Sequence, residues 1–239
     1  DIGNIWIGTY AGGVNFVPKI GEKFKHYRTN PLDENSLSNN LILGIHGDSK
    51  GNIIIGTDGG GINYLDRKTR KFTQLRHEPG NPNSISSDYV YTAIEYEKDV
   101  IAAGYYRGGF DLINLKTGAI QHHLPDTSDS KSISAISICS ALKDMEGNLW
   151  LGTADKGGLN LYDPATKTFE HFQPTLVREK YINGGFVYVM YEDKKKNFWI
   201  GTDDGLVYFD RNNKVFLNYK HDSTNSQNVV NSILEDKHG

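Results

Sequence analysis

Aromatic and cationic side chains lie in the segments of this sequence that vary most from one stretch to the next. The candidates are Tyr105, Tyr106, Arg107, Lys156, Arg178 and Tyr181. A tyrosine ring offers a flat apolar face on which the C–H face of a sugar can stack. Arginine and lysine supply cations that pair with sulfate or carboxylate groups. Together these residues predict a binding site for an acidic saccharide.

Four aspartates lie in the same kind of segment and could instead act as acids or bases. They are Asp58, Asp155, Asp203 and Asp204. Glycoside hydrolysis needs two carboxyl groups held about 5 to 10 Å apart. Each of these aspartates occupies a turn position where aspartate is favoured locally. No catalytic residue is therefore predicted, and a glycosidase or lyase stays open as the alternative.

Histidine and cysteine give no sign of a metal or redox centre. None of the eight histidines is paired at a metal-ligand spacing, and His122 and His123 would point to opposite faces of a strand. Cys139 is the single cysteine, so no internal disulfide can form. Low cysteine content fits the cytosol and the periplasm equally. No metal and no other cofactor is predicted.

A short recurring motif sets the positions of these residues. It reads Gly-Asn-Leu-Trp-Leu-Gly-Thr at residues 147–153, and versions of it recur at 3–9, 51–57 and 196–202, with a degenerate copy at 99–105. The glycine before the last residue marks each copy. These glycines, Gly8, Gly56, Gly104, Gly152 and Gly201, follow one another at steps of 48, 48, 48 and 49 residues. A constant period of this length indicates a repeat architecture.

Each repeat contains four short strand signals separated by polar turns. In the second repeat they cover residues 41–46, 53–57, 62–65 and 72–76, which we name strands A, B, C and D. Strand A recurs at residues 90–94, 138–142, 187–191 and 230–234. Four-stranded meanders at this period are typical of propeller blades. The sequence predicts an all-β propeller of four-stranded antiparallel blades over residues 1–239. Its repeats are 1–35, 36–83, 84–131, 132–178 and 179–226, and residues 227–239 begin the next.

The blade pattern separates a uniform end from a variable one. Turns from A to B and from C to D emerge at one end, whereas turns from B to C and connections from D to A emerge at the other, which we call the upper face. The uniform end keeps nearly constant turn lengths, but on the upper face the fourth B-to-C turn gains a residue and the fifth loses one. The third copy breaks the motif at residues 101–107. Because ligands bind where loops vary, the upper face is the predicted binding surface.

Three tryptophans occupy the same place in strand B. Trp6, Trp150 and Trp199 align with Ile54 and Ala102 in the other two repeats. A large indole once per blade is suited to filling the space between neighbouring sheets. We therefore predict that these side chains belong to the core and do not bind ligand.

Composition describes a globular chain with mild charge. Residues are 37% hydrophobic and 23% charged, and the formal net charge is -3. Lysine and arginine are scattered without a basic stripe, which argues against nucleic-acid binding. No apolar run approaches the roughly 20 residues that span a bilayer. Both ends of the sequence fall inside a repeat, so we expect an excerpt of a longer protein.

The fullest repeat, residues 144–169, resembles a known family. It reads Asp-x-x-Gly-Asn-apolar-Trp-apolar-Gly-Thr-x-x-Gly-Gly-apolar-Asn-x-Tyr-Asp-x-x-Thr-x-x-Phe. This pattern resembles the two-component regulator propeller repeat, and four of the five copies match it. The resemblance implies a seven-bladed propeller in the periplasmic sensor region of a bacterial hybrid two-component histidine kinase. We therefore expect five blades of an incomplete seven-bladed ring, although strand A at 230–234 could instead close the ring with strands B to D of the first repeat.

The resemblance also implies a function and partners. Many such ectodomains sense oligosaccharides and control polysaccharide-utilisation genes, so an oligosaccharide ligand is expected and no catalytic activity in this region. A homodimer of the parent ectodomain is expected as a further contact, and membrane attachment would come only from segments outside this sequence. The alternatives are a carbohydrate-active enzyme of propeller fold and a structural scaffold for dimerisation.

Overall fold

A computed structural model describes residues 5–18, 25–172, 182, 184–220 and 228–236. Nineteen β-strands form within these residues, and no α-helix does. The prediction of an all-β fold built from antiparallel blades is confirmed. No helix of the described part has the length and apolarity needed to cross a membrane. The chain divides into two compact units, Asp1–His122 and His123–Gly239, which we call unit 1 and unit 2.

Unit 1 holds three antiparallel sheets, each a meander of strands that are consecutive in sequence. The first has three strands and the other two have four. In order, these strands are β1 (Ile5–Thr9), β2 (Gly13–Val17) and β3 (Lys25–Tyr27); β4 (Ile42–Gly47), β5 (Ile53–Thr57), β6 (Ile62–Asp66) and β7 (Lys71–Leu75); and β8 (Val90–Glu97), β9 (Val100–Tyr105), β10 (Phe110–Asn114) and β11 (Ile120–His123).

Unit 2 holds two antiparallel sheets of four strands, again in sequence order. The strands are β12 (Ile138–Lys143), β13 (Leu149–Thr153), β14 (Leu159–Asp163) and β15 (Thr168–Phe172); and β16 (Val187–Glu192), β17 (Phe198–Thr202), β18 (Gly205–Asp210) and β19 (Val215–Tyr219). Each four-stranded sheet therefore follows the predicted order of A, B, C and D.

Strand B is the most deeply buried strand of each four-stranded sheet. All five residues of β5 are buried, and so are all five of β13. A strand covered on both faces by neighbouring sheets needs a continuous apolar run instead of alternation, which Ile53 to Ile55 supply. Trp150 on β13 is 3% exposed and packs against Phe198 and Phe209 of the next sheet, with ring centroids 5.1 and 5.8 Å away. This indole is part of the core, as predicted.

The turn from A to B gives a structural role to the aspartate that lies six residues before the tryptophan of strand B. Asp144 accepts hydrogen bonds from the backbone of Asn148 at 2.8 Å and from Trp150 Nε1 at 2.9 Å. Burial would raise the pKa of Asp144, but these bonds and those from the Asn148 amide outweigh it and lower the pKa. Asp193 bonds Trp199 in the same way at 3.1 Å. The turn therefore both reverses the chain and satisfies the indole.

The strand predicted at residues 230–234 does not form. These residues carry no strand assignment, although Val230 N donates to Thr202 O at 2.9 Å. Strand A pairs with the strand B that follows it, and no described strand follows residue 230. The apolar pattern alone was insufficient here, because a strand needs a partner for its backbone groups. The first sheet likewise contains only strands B, C and D.

Candidate functional site

Tyr105 lies in the core, which corrects its assignment as a ligand-stacking residue. It ends β9 and is 0% exposed. In other repeats a threonine holds this position: Thr57 Oγ1, for example, donates to Gly61 O at 2.8 Å across the following turn. The side chain at the end of strand B therefore points inward whatever its type. Burial and the negative charge of Asp111 raise the pKa of Tyr105 well above its ordinary value.

Tyr106 and Arg107 follow directly and are placed on the upper face of unit 1. Tyr106 is 46% exposed, and its ring meets the ring of Tyr91 edge-on at 5.9 Å. The Arg107 guanidinium carbon lies 5.9 Å from the Tyr106 ring centroid, within the range of a cation–π contact. Tyr106 N donates to Tyr89 O at 2.9 Å, which fixes the turn against strand A. These two predicted residues form one exposed group.

Tyr89 and Tyr91 complete this group, and the sequence analysis did not identify them. Tyr89 is 50% exposed and its backbone pairs with Asp58. Tyr91 is half-buried in β8. Two tyrosines that flank one valine could have been noticed as a signal, because alternation in a strand places both on the face opposite the valine.

A β-bulge explains why Tyr91 reaches the upper face. The pairing of strands A and B skips one residue in all four complete sheets, at Ile42/Gly44, Val90/Thr92, Ile138/Ser140 and Val187/Val189. The skipped residues are Leu43, Tyr91, Cys139 and Tyr188. Each of these side chains is half-buried or exposed. A bulge turns one side chain away from its normal direction and often occurs beside functional sites.

Unit 2 carries the fourth described candidate, Lys156. This exposed residue has a φ of 66°, and its backbone N donates to Gly185 O at 2.9 Å. Phe186 and Tyr188 follow Gly185, with rings stacked at 5.7 Å and an interplanar angle of 10°. Tyr188 is 37% exposed. Lys156 thus lies in a turn that contacts the start of an aromatic pair.

Two of the six candidate residues remain. Arg178 and Tyr181 lie outside the described residues. Tyr106 and Arg107 belong to unit 1, and Lys156 belongs to unit 2, so we describe two separate groups. We name them the Tyr106 patch, formed by Tyr89, Tyr91, Tyr106 and Arg107, and the Tyr188 patch, formed by Lys156, Phe186 and Tyr188.

Two of the four aspartates considered for catalysis, Asp203 and Asp204, make contacts that give them local structural roles. One Asp203 oxygen accepts the backbone N–H groups of Gly185 at 2.7 Å and Phe186 at 3.1 Å. Asp204 pairs with Lys220. In the described part of the chain, no cluster of three or more His, Cys, Asp or Glu side chains could hold a metal ion. Asp203 and Asp204 therefore already have partners within the protein.

Known proteins share the fold described above. An extracellular domain of BT3049 from B. thetaiotaomicron, described as a hybrid two component system, is 24% identical over 98% of this chain, with a TM-score of 0.79. The equivalent domain of BT4673 is 20% identical over 93% of the chain, with a TM-score of 0.72. Virginiamycin B lyase from Staphylococcus aureus reaches 14%, 92% and 0.66. These similarities show the β-propeller fold.

The chain corresponds to only part of each of these proteins. It covers 29% of the BT3049 domain, 30% of the BT4673 domain and 67% of the lyase. A search of curated proteins gives no match. Residues 181–204 match the model of the two component regulator propeller family. The chain thus carries the two component regulator propeller repeat, and this is the same repeat that its sequence resembles.

Proposed function

We propose that this chain is part of the ligand-sensing region of a hybrid two-component sensor and that it recognises an oligosaccharide in the periplasm. The exposed Tyr106 ring, with Tyr91 at its edge and Arg107 beside it, carries this proposal. It combines an apolar stacking plane with a cation in the turn that departs most from the repeat. The extracellular position of the two similar B. thetaiotaomicron domains supports a location outside the cytoplasm.

In this proposal the chain binds the oligosaccharide, and the catalytic activity belongs to other parts of the parent protein. The blades belong to a seven-bladed ring, and the parent protein adds a membrane span and a histidine kinase that controls polysaccharide-utilisation genes. A homodimer of the parent ectodomain would bring two such propellers to one receptor. No reaction is assigned to this region.

Calorimetric titration of the complete ectodomain against neutral and acidic oligosaccharides tests the proposal. Tyr106→Ala removes the stacking plane and Arg107→Ala leaves an anionic group unpaired, so each should weaken binding by about 1 to 3 kcal/mol. Met145→Ala is the control, because Met145 is similarly exposed but lies in an A-to-B turn, at the end opposite the upper face. Absence of binding by any saccharide, or turnover of one, would contradict the proposal.

A further inference from the structure

The gap between the fourth and fifth sheets is open at the end where the A-to-B and C-to-D turns lie. A cavity of about 540 Å³ is found there, within unit 2. The equivalent gap between the second and third sheets, within unit 1, leaves a cavity of only about 10 Å³. Small-molecule sites typically have volumes of about 300 to 1,000 Å³. The cavity in unit 2 is therefore large enough for a ligand, and the one in unit 1 is not.

One residue of strand C accounts for much of this difference. Tyr64 pairs with Ile54 of strand B, and Leu161 pairs with Trp150 at the same place in the fourth repeat. The Tyr64 hydroxyl reaches across the smaller gap and donates to Asp48 Oδ2 at 2.5 Å. Leu161 is smaller and lines the larger cavity. The space that a tyrosine fills in the second repeat is thus left open in the fourth.

A half-buried arginine forms one wall of the larger cavity. Arg211 Nη1 donates to Asp144 Oδ2 at 2.9 Å, and Nη2 donates to Glu192 Oε1 at 2.5 Å and to Lys196 O at 3.0 Å. The third repeat has Leu115 at this position, directly after strand C. Because Arg211 supplies the hydrogen bond to Asp144 that a tyrosine supplies to the equivalent aspartate, the fold needs no further side chain in the cavity.

Three apolar side chains of the fourth sheet form the floor of the cavity. They are Trp150, Leu161 and Phe172, one from each of strands B, C and D. The Trp150 and Phe172 rings lie 5.4 Å apart, and Leu161 is half-buried. This floor suits the apolar part of a ligand.

Four exposed charges surround the mouth of the cavity, with opposite signs on opposite sides. The fourth repeat supplies Glu146 and Glu170, and the fifth supplies Lys196 and Lys214. Lys196 Nζ lies 3.4 Å from Glu146 Oε1, and Lys214 pairs with Glu170. Exposed ion pairs of this kind add little stability, so a ligand can replace them. The mouth therefore offers acceptors from one repeat and cations from the next.

We infer that this cavity, which we name the repeat 4–5 cleft, binds a zwitterion, either a free amino acid with an apolar side chain or a short peptide of such residues. The ammonium group of the ligand donates to the two glutamates, its carboxylate accepts from the two lysines, and its side chain packs on the apolar floor. The inference goes beyond the proposed function and does not depend on it, because the cleft contains none of the residues of the Tyr106 patch.

The second and third repeats show that the fold accepts the opposite polarity at one of these pairs. Lys50 takes the place of Glu146, Asp99 takes the place of Lys196, and the two form an ion pair. The double substitution Glu146→Lys with Lys196→Asp copies that arrangement into the cleft. It keeps an ion pair and reverses its direction, so it separates the effect of polarity from that of stability.

Three variants test the cleft. In the reversed variant, Glu170→Lys with Lys214→Glu is added to the double substitution, so that both pairs change direction. Leu161→Tyr fills the cavity with the residue of the second repeat. Lys50→Glu with Asp99→Lys is the matched control, because it reverses the equivalent pair beside the filled gap. Thermal unfolding of each variant checks that the fold is kept.

The complete ectodomain is titrated calorimetrically with leucine, phenylalanine and leucyl-leucine, and with the amide and the N-acetyl derivative of each. The amide lacks the carboxylate and the N-acetyl derivative lacks the ammonium group. We expect at least one zwitterion to bind, and both of its singly charged derivatives to bind at least about tenfold more weakly. Comparison of the amino acids with leucyl-leucine distinguishes a free amino acid from a peptide. The reversed variant and Leu161→Tyr should lose the binding, and the control should keep it.

Several results would overturn the inference. If none of the three zwitterions binds, the cleft has a different role. Equal affinity for a zwitterion and its derivatives, or unchanged binding in the reversed variant, would contradict the role of the charges. Saccharide binding that Leu161→Tyr abolishes would assign the cleft to a sugar instead. If no saccharide binds but a zwitterion does, the proposed function fails and this inference stands.

Discussion

In the second and third repeats, hydrogen bonds hold the loop before strand A against strands C and D of the same sheet. We call this set of hydrogen bonds the tie, and its side chains differ between the two repeats. In the second repeat the tie is neutral. Ser38 N donates to Asn63 Oδ1 at 2.9 Å, and Asn63 Nδ2 donates to Ser38 Oγ at 2.6 Å. Gln74, which pairs with Asn63 across strands C and D, donates to Ser36 O at 2.8 Å. Every donor here meets an acceptor without any charge.

In the third repeat the tie is ionic. Asp111 replaces the asparagine, its side chain is fully buried, and it accepts from Ser86 N at 2.8 Å and Ser86 Oγ at 2.6 Å. His122 Nδ1 lies 2.7 Å from Asp111 Oδ1, and His122 Nε2 lies 2.8 Å from Pro82 O. Since both ring nitrogens face acceptors, the imidazolium form fits best. The comparison shows that one backbone geometry accommodates an amide or a carboxylate, and we expect the buried carboxylate to need its cation.

Removing the cation should have the largest effect. His122→Ala leaves Asp111 buried without its charge partner, so we expect a loss of about 3 kcal/mol in the free energy of unfolding. His171→Ala is the matched control, because His171 pairs with the neutral Asn160 and should cost only about 1 kcal/mol. Urea denaturation measures both, and equal losses would show that Asp111 does not depend on His122.

Adding a charge to the neutral tie should cost less. Asn63→Asp places a carboxylate beside Gln74, which cannot become a cation, so we expect a loss of about 2 kcal/mol. Gln74→His in the same chain should recover part of that loss by recreating the third repeat. A double-mutant cycle gives the coupling between the two positions. Strictly additive losses would refute the claim that the carboxylate needs the cation.

The ionic tie should also make stability depend on pH. Partial burial disfavours the charged ring, but the Pro82 carbonyl and the Asp111 carboxylate outweigh it and raise the pKa of His122 above 6.5. Its contribution is therefore complete below pH 6.5 and is lost as the pH rises through the raised value. NMR titration of the His122 ring protons measures the shift directly. A midpoint below 6.5 would reverse the expected direction.

Converting the third repeat to the second should have the smallest effect. Asp111→Asn with His122→Gln replaces both partners together, so the change in unfolding free energy at pH 7 should stay below about 1 kcal/mol. The part of the pH dependence that comes from His122 should disappear in the same variant. A loss as large as that of His122→Ala would mean that other third-repeat residues, such as Tyr105, need the charge.

Much of the fold could be predicted because its signals are local and repeated. The apolar run of strand B, the aspartate that bonds the tryptophan and the fixed turn lengths all lie within a few residues of the features they determine. Residues 230–234 show the limit of this approach. They have the apolar pattern of strand A, but a strand also needs a partner strand for its backbone groups, and no described strand follows them.

The candidate site was only partly predictable for a related reason. Tyr106, Arg107 and Lys156 could be proposed from the sequence because they interrupt a repeat pattern, and their role stays a prediction. Tyr105 interrupts it too, but its direction follows from strand B and not from its residue type. Tyr91 was missed because a β-bulge leaves no mark in composition and appears only when two strands are paired.

At this pair of positions the third repeat differs from the first and the fourth by one substitution. Asparagine faces histidine in the first and fourth repeats, at Asn15 with His26 and at Asn160 with His171. Asparagine faces glutamine in the second, and aspartate faces histidine only in the third. Aspartate opposite glutamine occurs in no repeat of this chain. The amide faces the histidine in the first and fourth repeats without a buried charge, so a single substitution such as Asn160→Asp would give the fourth repeat the ionic pair of the third.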